Sequence, residues 1–264
     1  MKTICVSCIL YTVSTTNAEN NRYTEIFILW LSKLIKIRAL TPNDSLHITI
    51  DNTTFEYCKK NYACFNHLLR FIPNLHIHIE EQPSTILEGM MWKFIPRSYT
   101  QDVFLYLDID IYVLKPLHCI TDQMEDNKIY VMQEGNLTES NYNAAFSEEM
   151  RSKFTAYDPG FSSGKFAITS ITIRNIIFEE IRKICDYSSN YYCLDQTFFN
   201  CIMYAIRSGG YLDMNILKMP LISYNGQEYS NNTVLYDCAG DPANGKMHIM
   251  KFIDLIGLES IGIL

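Results

Sequence analysis

Asp108 and Asp110 stand two positions apart in "FLYLDIDIYVLKPL", at the end of an apolar run that reads as a strand over Val103–Leu107. In an extended segment residues i and i+2 point the same way, so both carboxylates share a face and Ile109 turns to the core. Two carboxylates that close repel each other, and burying them bare is costly. A divalent cation between them removes the problem. Hard oxygen ligands suit Mn²⁺ or Mg²⁺, which keep coordination positions open for phosphate oxygens. The local expectation is a metal–phosphate site with Asp108 and Asp110 as ligands. A solvated pair of turn carboxylates would explain the same letters. The apolar strand before them and "YVLKPL" after them favour the metal.

A strand end that carries chemistry needs a sheet to hold it. Ile4–Val13, Ser45–Ile50 and Leu75–Ile79 read as further strands. Between them, Tyr23–Arg38 carries Ile26, Trp30, Leu34 and Ile37 at helical spacing. Thr54–Phe71 does so with Phe55, Cys58, Tyr62, Phe65, Leu68 and Leu69, and Ser84–Phe94 is helical with Ser84 as N-cap. This alternation predicts an α/β fold with a mostly parallel central sheet flanked by helices. Ligands in such sheets bind beyond the carboxyl ends of the strands. The second half is less regular. Lys128–Gln133 is a short strand, Gly135–Thr155 a polar loop with a short helix, and Asp158-Pro159-Gly160 a turn before a strand over Phe161–Ile168. Ser170–Ile184 and Leu194–Ile206 are amphipathic helices, and a turn-rich tail follows from Gly209. Residues 1–264 read as one domain with a less regular C-terminal portion.

Composition narrows the function. The chain has 264 residues, 48% of them hydrophobic, and a net charge of -7, so it is globular and a poor partner for a nucleic-acid backbone. Nine cysteines are spread singly, which points to buried thiols and a reducing compartment. Cys5-x-x-Cys8 has no second pair at zinc spacing. The best candidate for a membrane span, "IFILWLSKLIKI", is interrupted by Lys33 and Lys36, and a strand explains the N-terminal "MKTICVSCIL" better than a leader does. The expectation is a cytoplasmic protein with no membrane span. His76 and His78 alternate on one strand with no acidic partner near them in sequence, so ordinary sheet positions are expected.

"FLYLDIDIYVLKPL" resembles the D-x-D region of GT-A glycosyltransferases, particularly glycosyltransferase family 8, and the likeness extends over most of the chain. "GMMWKFIPRSYTQ" is similar to a helix whose basic residue lies near the nucleotide-sugar, which implies Lys93 for that role, with Arg97 the weaker match. "DPGFSSGKFAI" resembles the following strand, with Ser162, Ser163 and Gly164 facing the donor. "YYCLDQTFFN" resembles the segment that opens a helix beside the sugar, giving Asp195 and Gln196 as the catalytic pair. "GKMHIMKF" would supply His248 to the metal and Lys251 to a phosphate, although this chain lacks the Gly and the later Lys-Pro-Trp of the family pattern. Tyr11 or Thr12, with the loop to Asn17, would border the uracil and ribose.

The resemblance implies a nucleotide-sugar-binding half over residues 1–115 and an acceptor-side half over 116–264. It implies a UDP-sugar donor, Mn²⁺ (or Mg²⁺) as cofactor, a carbohydrate, glycoprotein or glycolipid acceptor, and retention of configuration. The aromatic residues Tyr142, Phe146, Tyr224, Tyr229 and Tyr236 either stack on a sugar or pack their loops. A D-x-D phosphatase would want Thr or Val where Tyr112 stands. A nucleotidyltransferase would want a Gly-rich basic loop after the first strand, and "YTVSTTNAENNRY" has neither feature before Arg22. A GT-A-like domain that binds sugar or protein without turnover stays open beside the enzyme.

Overall fold

A computed structural model describes residues 1–14, 22–185, 194–209, 212, 215–224, 231–238 and 243–260. In chain order the elements are β1 (Ile4–Leu10), α1 (Tyr23–Lys36), β2 (Ser45–Asp51), α2 (Asn52–Asn61), α3 (Phe65–Arg70), β3 (Leu75–Glu80) and α4 (Ile86–Met90). A 3-10 turn over Met91–Phe94 leads to β4 (Val103–Leu107), β5 (Ile111–Val113), α5 (His118–Thr121) and β6 (Lys128–Asn136). Then come α6 (Ser140–Asn143), α7 (Glu148–Arg151), β7 (Pro159–Ile168), α8 (Ile171–Ile184) and α9 (Leu194–Arg207). The described chain closes with β8 (Asn215–Lys218), β9 (Ile222–Tyr224), β10 (Leu235–Asp237) and α10 (Ala243–Ser260).

Seven strands form one mixed sheet in the order β3-β2-β1-β4-β7-β6-β8. β3, β2, β1 and β4 run parallel, β7 is antiparallel to both β4 and β6, and β8 is parallel to β6. The chain steps outward from β1 to β3 and then returns to place β4 on the other side of β1. Sheets of this kind bind ligands beside such a reversal, which here falls at the carboxyl ends of β1 and β4. A second, three-stranded sheet of β5, β10 and β9 lies beside it.

Strand alternation divides the core in two. Ile4, Val6, Cys8 and Leu10 of β1 join Val103, Leu105 and Leu107 of β4 in one cluster with Trp30 and Phe27 of α1. Cys5 and Ile9 join Phe104 and Tyr106 in the other, with Phe94, Phe166, Phe178 and Phe199. Cys5 and Cys8 are three residues apart, so they fall on opposite faces of the sheet and cannot act as a pair. Burial pushes the Cys5 thiol up to about 12. The eight described cysteines are free, and Cys64 and Cys119 are exposed rather than buried as expected.

Several sequence expectations need correction. The helix expected over Thr54–Phe71 is two helices, because Tyr62 closes α2 in an extended conformation (φ -116°, ψ 95°). The N-cap of α4 is Thr85, whose hydroxyl accepts from the Glu88 amide at 3.1 Å, while Ser84 donates to the Glu88 carboxylate. Pro159-Gly160 is not a turn; it opens β7 opposite Asn136 and Gly135. The tail holds an 18-residue helix, α10, fastened to α1 by a Lys33–Asp254 ion pair of 2.6 Å and by buried Met250. Glycines at 245 and 257 lower its intrinsic helix propensity and hide it from a periodicity reading. No helix among the described residues is long and apolar enough to cross a membrane.

The parallel pairing of β2 and β3 places His47 beside His76 and stacks their rings at 4.3 Å, with His47 Nδ1 3.0 Å from His78 Nε2. Burial lowers the His47 pKa to about 3, and His76, His78, Arg97 and Arg174 push the same way. Burial, then Arg97 and His76, lowers His78 to about 4 against the opposing pull of Glu80. The unfolded chain binds these protons near 6.5 and the folded chain refuses them, so stability falls as pH drops below about 6.5. Urea unfolding at pH 7 and pH 5 should show His47 costing about 2 kcal/mol over that interval. His47→Phe keeps a stacked ring without the titration and should reduce the slope, leaving the part due to His78.

Candidate active site

β4 ends at Leu107, and Asp108–Asp110 form a tight turn in which the Ile111 amide donates to the Asp108 carbonyl at 2.9 Å. The expected extended D-x-D is therefore a turn that reverses the chain into β5, with Ile109 buried as anticipated. Asp108 continues the Phe104/Tyr106 face of β4. Its Oδ1 accepts from the Tyr106 hydroxyl at 2.6 Å, and its amide donates to the Gly164 carbonyl at 2.7 Å. Its side chain is 36% exposed. Burial raises its pKa to about 6; Lys93 and Tyr106 oppose the rise, while Asp110 and Asp195 add to it.

Lys93, from the 3-10 turn, is 4% exposed. Its ammonium lies 2.9 Å from Asp195 Oδ2, 3.7 Å from Asp108 Oδ1 and 4.9 Å from the centre of the Tyr106 ring. It donates at 3.4 Å to the Ser163 carbonyl. The Ser163 hydroxyl donates to the same Asp195 oxygen at 2.7 Å, and the Ser163 amide donates to Gln196 Oε1 at 3.4 Å. Asn200, one turn along α9, clamps β7 by accepting from the Phe161 amide and donating to the Phe161 carbonyl, both at 2.8 Å. Five sequence-predicted residues, Lys93, Asp108, Ser163, Asp195 and Gln196, thus meet in one cluster. Gly164 belongs with them: the Asp108 carboxylate packs against it where a Cβ would run into Oδ2, so glycine is needed for Asp108 to take this position.

At the end of β1, Thr12 is buried, donating from its amide to Asp51 at 2.8 Å and sharing a 2.7 Å hydroxyl contact with Thr54. Tyr11 lies over Gly89 of α4, where a Cβ would meet the ring, and packs edge-on against Trp92 at 5.8 Å. Arg97 does not enter the cluster; it pairs with Glu80 at 2.8 Å. Tyr236 is buried in the main core from β10, Tyr142 is buried with Leu137 and Phe154, and Phe146 packs against Phe154 and Tyr204. Asn17, Tyr191–Cys193 and Tyr229 lie outside the described residues.

The structure does not bring His248 to the carboxylates. Lys246 of α10 does so, pairing with Asp110 Oδ2. Residues i and i+2 of a helix do not share a face, so once Lys246 points inward His248 points out, and both His248 and Lys251 are exposed. Asp110 raises the Lys246 pKa against the lowering effect of burial. Among the described residues no group of three His, Cys, Asp or Glu side chains is placed to share a metal ion. Asp108 and Asp110 still fit Mn²⁺ or Mg²⁺, which bind through one or two carboxylates and complete their shell with water and substrate phosphates.

Sequence reasoning also missed Lys165. It is 2% exposed and pairs with Glu134 of β6 and Asp237 of β10, within 3.3 Å of the Ser162 hydroxyl. Burial alone would lower its pKa; Asp237 and Glu134 raise it instead. A lysine straight after "SSG" inside an apolar strand was the available signal.

No protein-family model matches the chain, and no curated protein matches it in sequence. Solved structures do. It aligns with galactosyltransferase LgtC in complex with donor and acceptor sugar analogues at TM-score 0.57 and 11% identity, over 94% of this chain and 95% of that one. The chain carries the GT-A fold. It aligns with mouse xyloside xylosyltransferase 1 at TM-score 0.52 and 11% identity, over 89% and 96% of the two chains. It also aligns with the bifunctional glycosyltransferase WbbM at TM-score 0.55 and 13% identity, over 94% of this chain and 50% of that one. The chain thus spans about half the length of WbbM.

Replacing Lys165 by Met would leave Asp237, itself 1% exposed, without its cation. Breaking a buried pair in this way costs about 3–5 kcal/mol. Denaturant unfolding of Lys165→Met should show a loss of that size, whereas Lys246→Met, at the more open Asp110, should cost less.

Proposed function

We propose that the chain is a metal-dependent glycosyltransferase that moves a hexose from a UDP-sugar to a carbohydrate, glycoprotein or glycolipid acceptor. The observation that carries this reading is the cluster of buried Lys93, Ser163 and Asp195 with the partly exposed Asp108 at the carboxyl end of β4. It sits in a fold shared with glycosyltransferases.

Asp108 and Asp110 are the proposed ligands of Mn²⁺ or Mg²⁺. When bound, the ion would stabilise the charge that develops on the departing diphosphate. Lys93, held by Asp195, adds a fixed positive charge beside Asp108, and a preorganised cation there costs no reorganisation during reaction. Ser163 and Gly164 line the donor side, and Asp195 and Gln196 are the groups proposed to orient the transferred sugar. Tyr11 and Thr12 border the nucleoside at the end of β1. Lys246 takes the place expected for His248: on donor binding its ammonium is free to exchange Asp110 for a phosphate oxygen. His248 and Lys251 are left out of the proposed site. Retention of configuration is proposed from the family likeness alone.

One observation favours a second reading. Lys246 already neutralises Asp110, as it would in a domain that binds sugar or protein without turnover. UDP release from UDP-glucose, UDP-galactose and UDP-N-acetylglucosamine separates the two. The enzyme should release UDP from one donor in the presence of Mn²⁺, and Asp110→Asn should lower that rate by about a hundredfold. Wild-type protein that releases nothing from any donor leaves the binding domain in front.

A further inference from the structure

A cleft of about 470 Å³ lies beside α4 and the 3-10 turn, lined by Glu88, Met91, Trp92, Ile95, Ser84 and, from the last turn of α8, Arg182. Its size is in the range of small-molecule sites, roughly 300–1,000 Å³. None of the proposed catalytic or metal-binding residues lines it, so it is separate from the cluster around Asp108. It is nevertheless close to the donor side: Trp92 precedes Lys93 in the chain, and its ring meets Tyr11 edge-on.

The lining has two poles and an apolar floor. Trp92, Met91 and Ile95 offer the floor. Arg182 is exposed and makes no hydrogen bond or ion pair among the described residues. Glu88 Oε2 is held by the Ser84 amide at 2.7 Å and the Ser84 hydroxyl at 2.8 Å, which fixes the carboxylate and leaves Oε1 for another donor. A guanidinium matches a carboxylate with two parallel hydrogen bonds. A fixed carboxylate accepts from a hydroxyl. An indole covers the apolar face of a ring. A bare anion satisfies Arg182 but is repelled by Glu88; a neutral sugar satisfies Glu88 but leaves Arg182 unused.

We propose that this cleft binds an acidic sugar, a uronic acid, with its carboxylate on Arg182, a hydroxyl on Glu88 and its ring against Trp92. That the cleft binds such a sugar does not rest on the transferase reading.

Calorimetry without donor or metal tests the site, using tetragalacturonate and a hyaluronan tetrasaccharide against neutral maltotetraose. At least one uronate should bind about tenfold more tightly than maltotetraose, the value of one charge-assisted contact. Arg182→Gln, at an exposed position, should erase that preference, and Arg182→Glu should turn it toward the neutral sugar. Both variants should keep the wild-type rate of UDP release. Equal affinity for charged and neutral sugars, no binding of either uronate, or a preference unchanged in Arg182→Gln overturns the site. So does displacement of the uronate by equimolar inorganic phosphate. A wild type that prefers uronate yet releases no UDP overturns the transferase reading and leaves the site standing.

Discussion

A lysine ammonium buried to 4% exposure needs a partner, and the arrangement around Lys93 follows from that need. Its partners come from three other elements: Asp108 after β4, Ser163 on β7 and Asp195 on α9. The ion pair with Asp195 sets where α9 begins against β7, and the Asn200 clamp on Phe161 holds the next turn in register. Beneath it, Tyr106 stacks on Phe166 at 5.4 Å and gives its hydroxyl to Asp108. The aromatic core thus reaches the site through Tyr106, and the polar cluster caps it.

The same rule repeats around the site. Lys165 bridges Glu134 and Asp237, tying β7 to β6 and to the small sheet. Lys246 meets Asp110 and ties α10 to the turn after β4. Three lysines thus offset part of the charge of the five carboxylates gathered there, Asp108, Asp195, Glu134, Asp237 and Asp110. For the proposed donor, the lysines would be the cations that meet a diphosphate, and Asp108 and Asp110 the carboxylates that meet a divalent ion. The short second sheet has a related purpose. β10 pairs with β5 directly after the D-x-D turn, and the Cys238 amide donates to the Asp110 carbonyl at 3.1 Å, which holds the turn from its far side.

The parallel half of the fold was legible because its signals are local. Alternation marks β2 and β3, 3.6-residue spacing marks α1, and Val103–Leu107 is an apolar run that stops at an acid. The cluster was legible in part, since the likeness pointed to Lys93, Asp108, Ser163 and Asp195 without saying that they touch. What stayed hidden depends on contacts distant in sequence. Lys246 and Asp110 are 136 residues apart, and Lys165 and Asp237 are 72 apart. No window of sequence contains either pair. His248 looked the better ligand on residue type alone; the helical path of α10 decides for Lys246 instead.

Calorimetric titration of UDP in the presence of Mn²⁺ into wild type and Lys93→Met tests the central claim, that the Lys93 cluster is a nucleotide-diphosphate site. The account predicts one UDP per chain, binding that requires Mn²⁺, and a loss of about tenfold or more in the variant. Wild-type protein that takes up no UDP with Mn²⁺, or a folded Lys93→Met protein that binds it undiminished, would contradict the account.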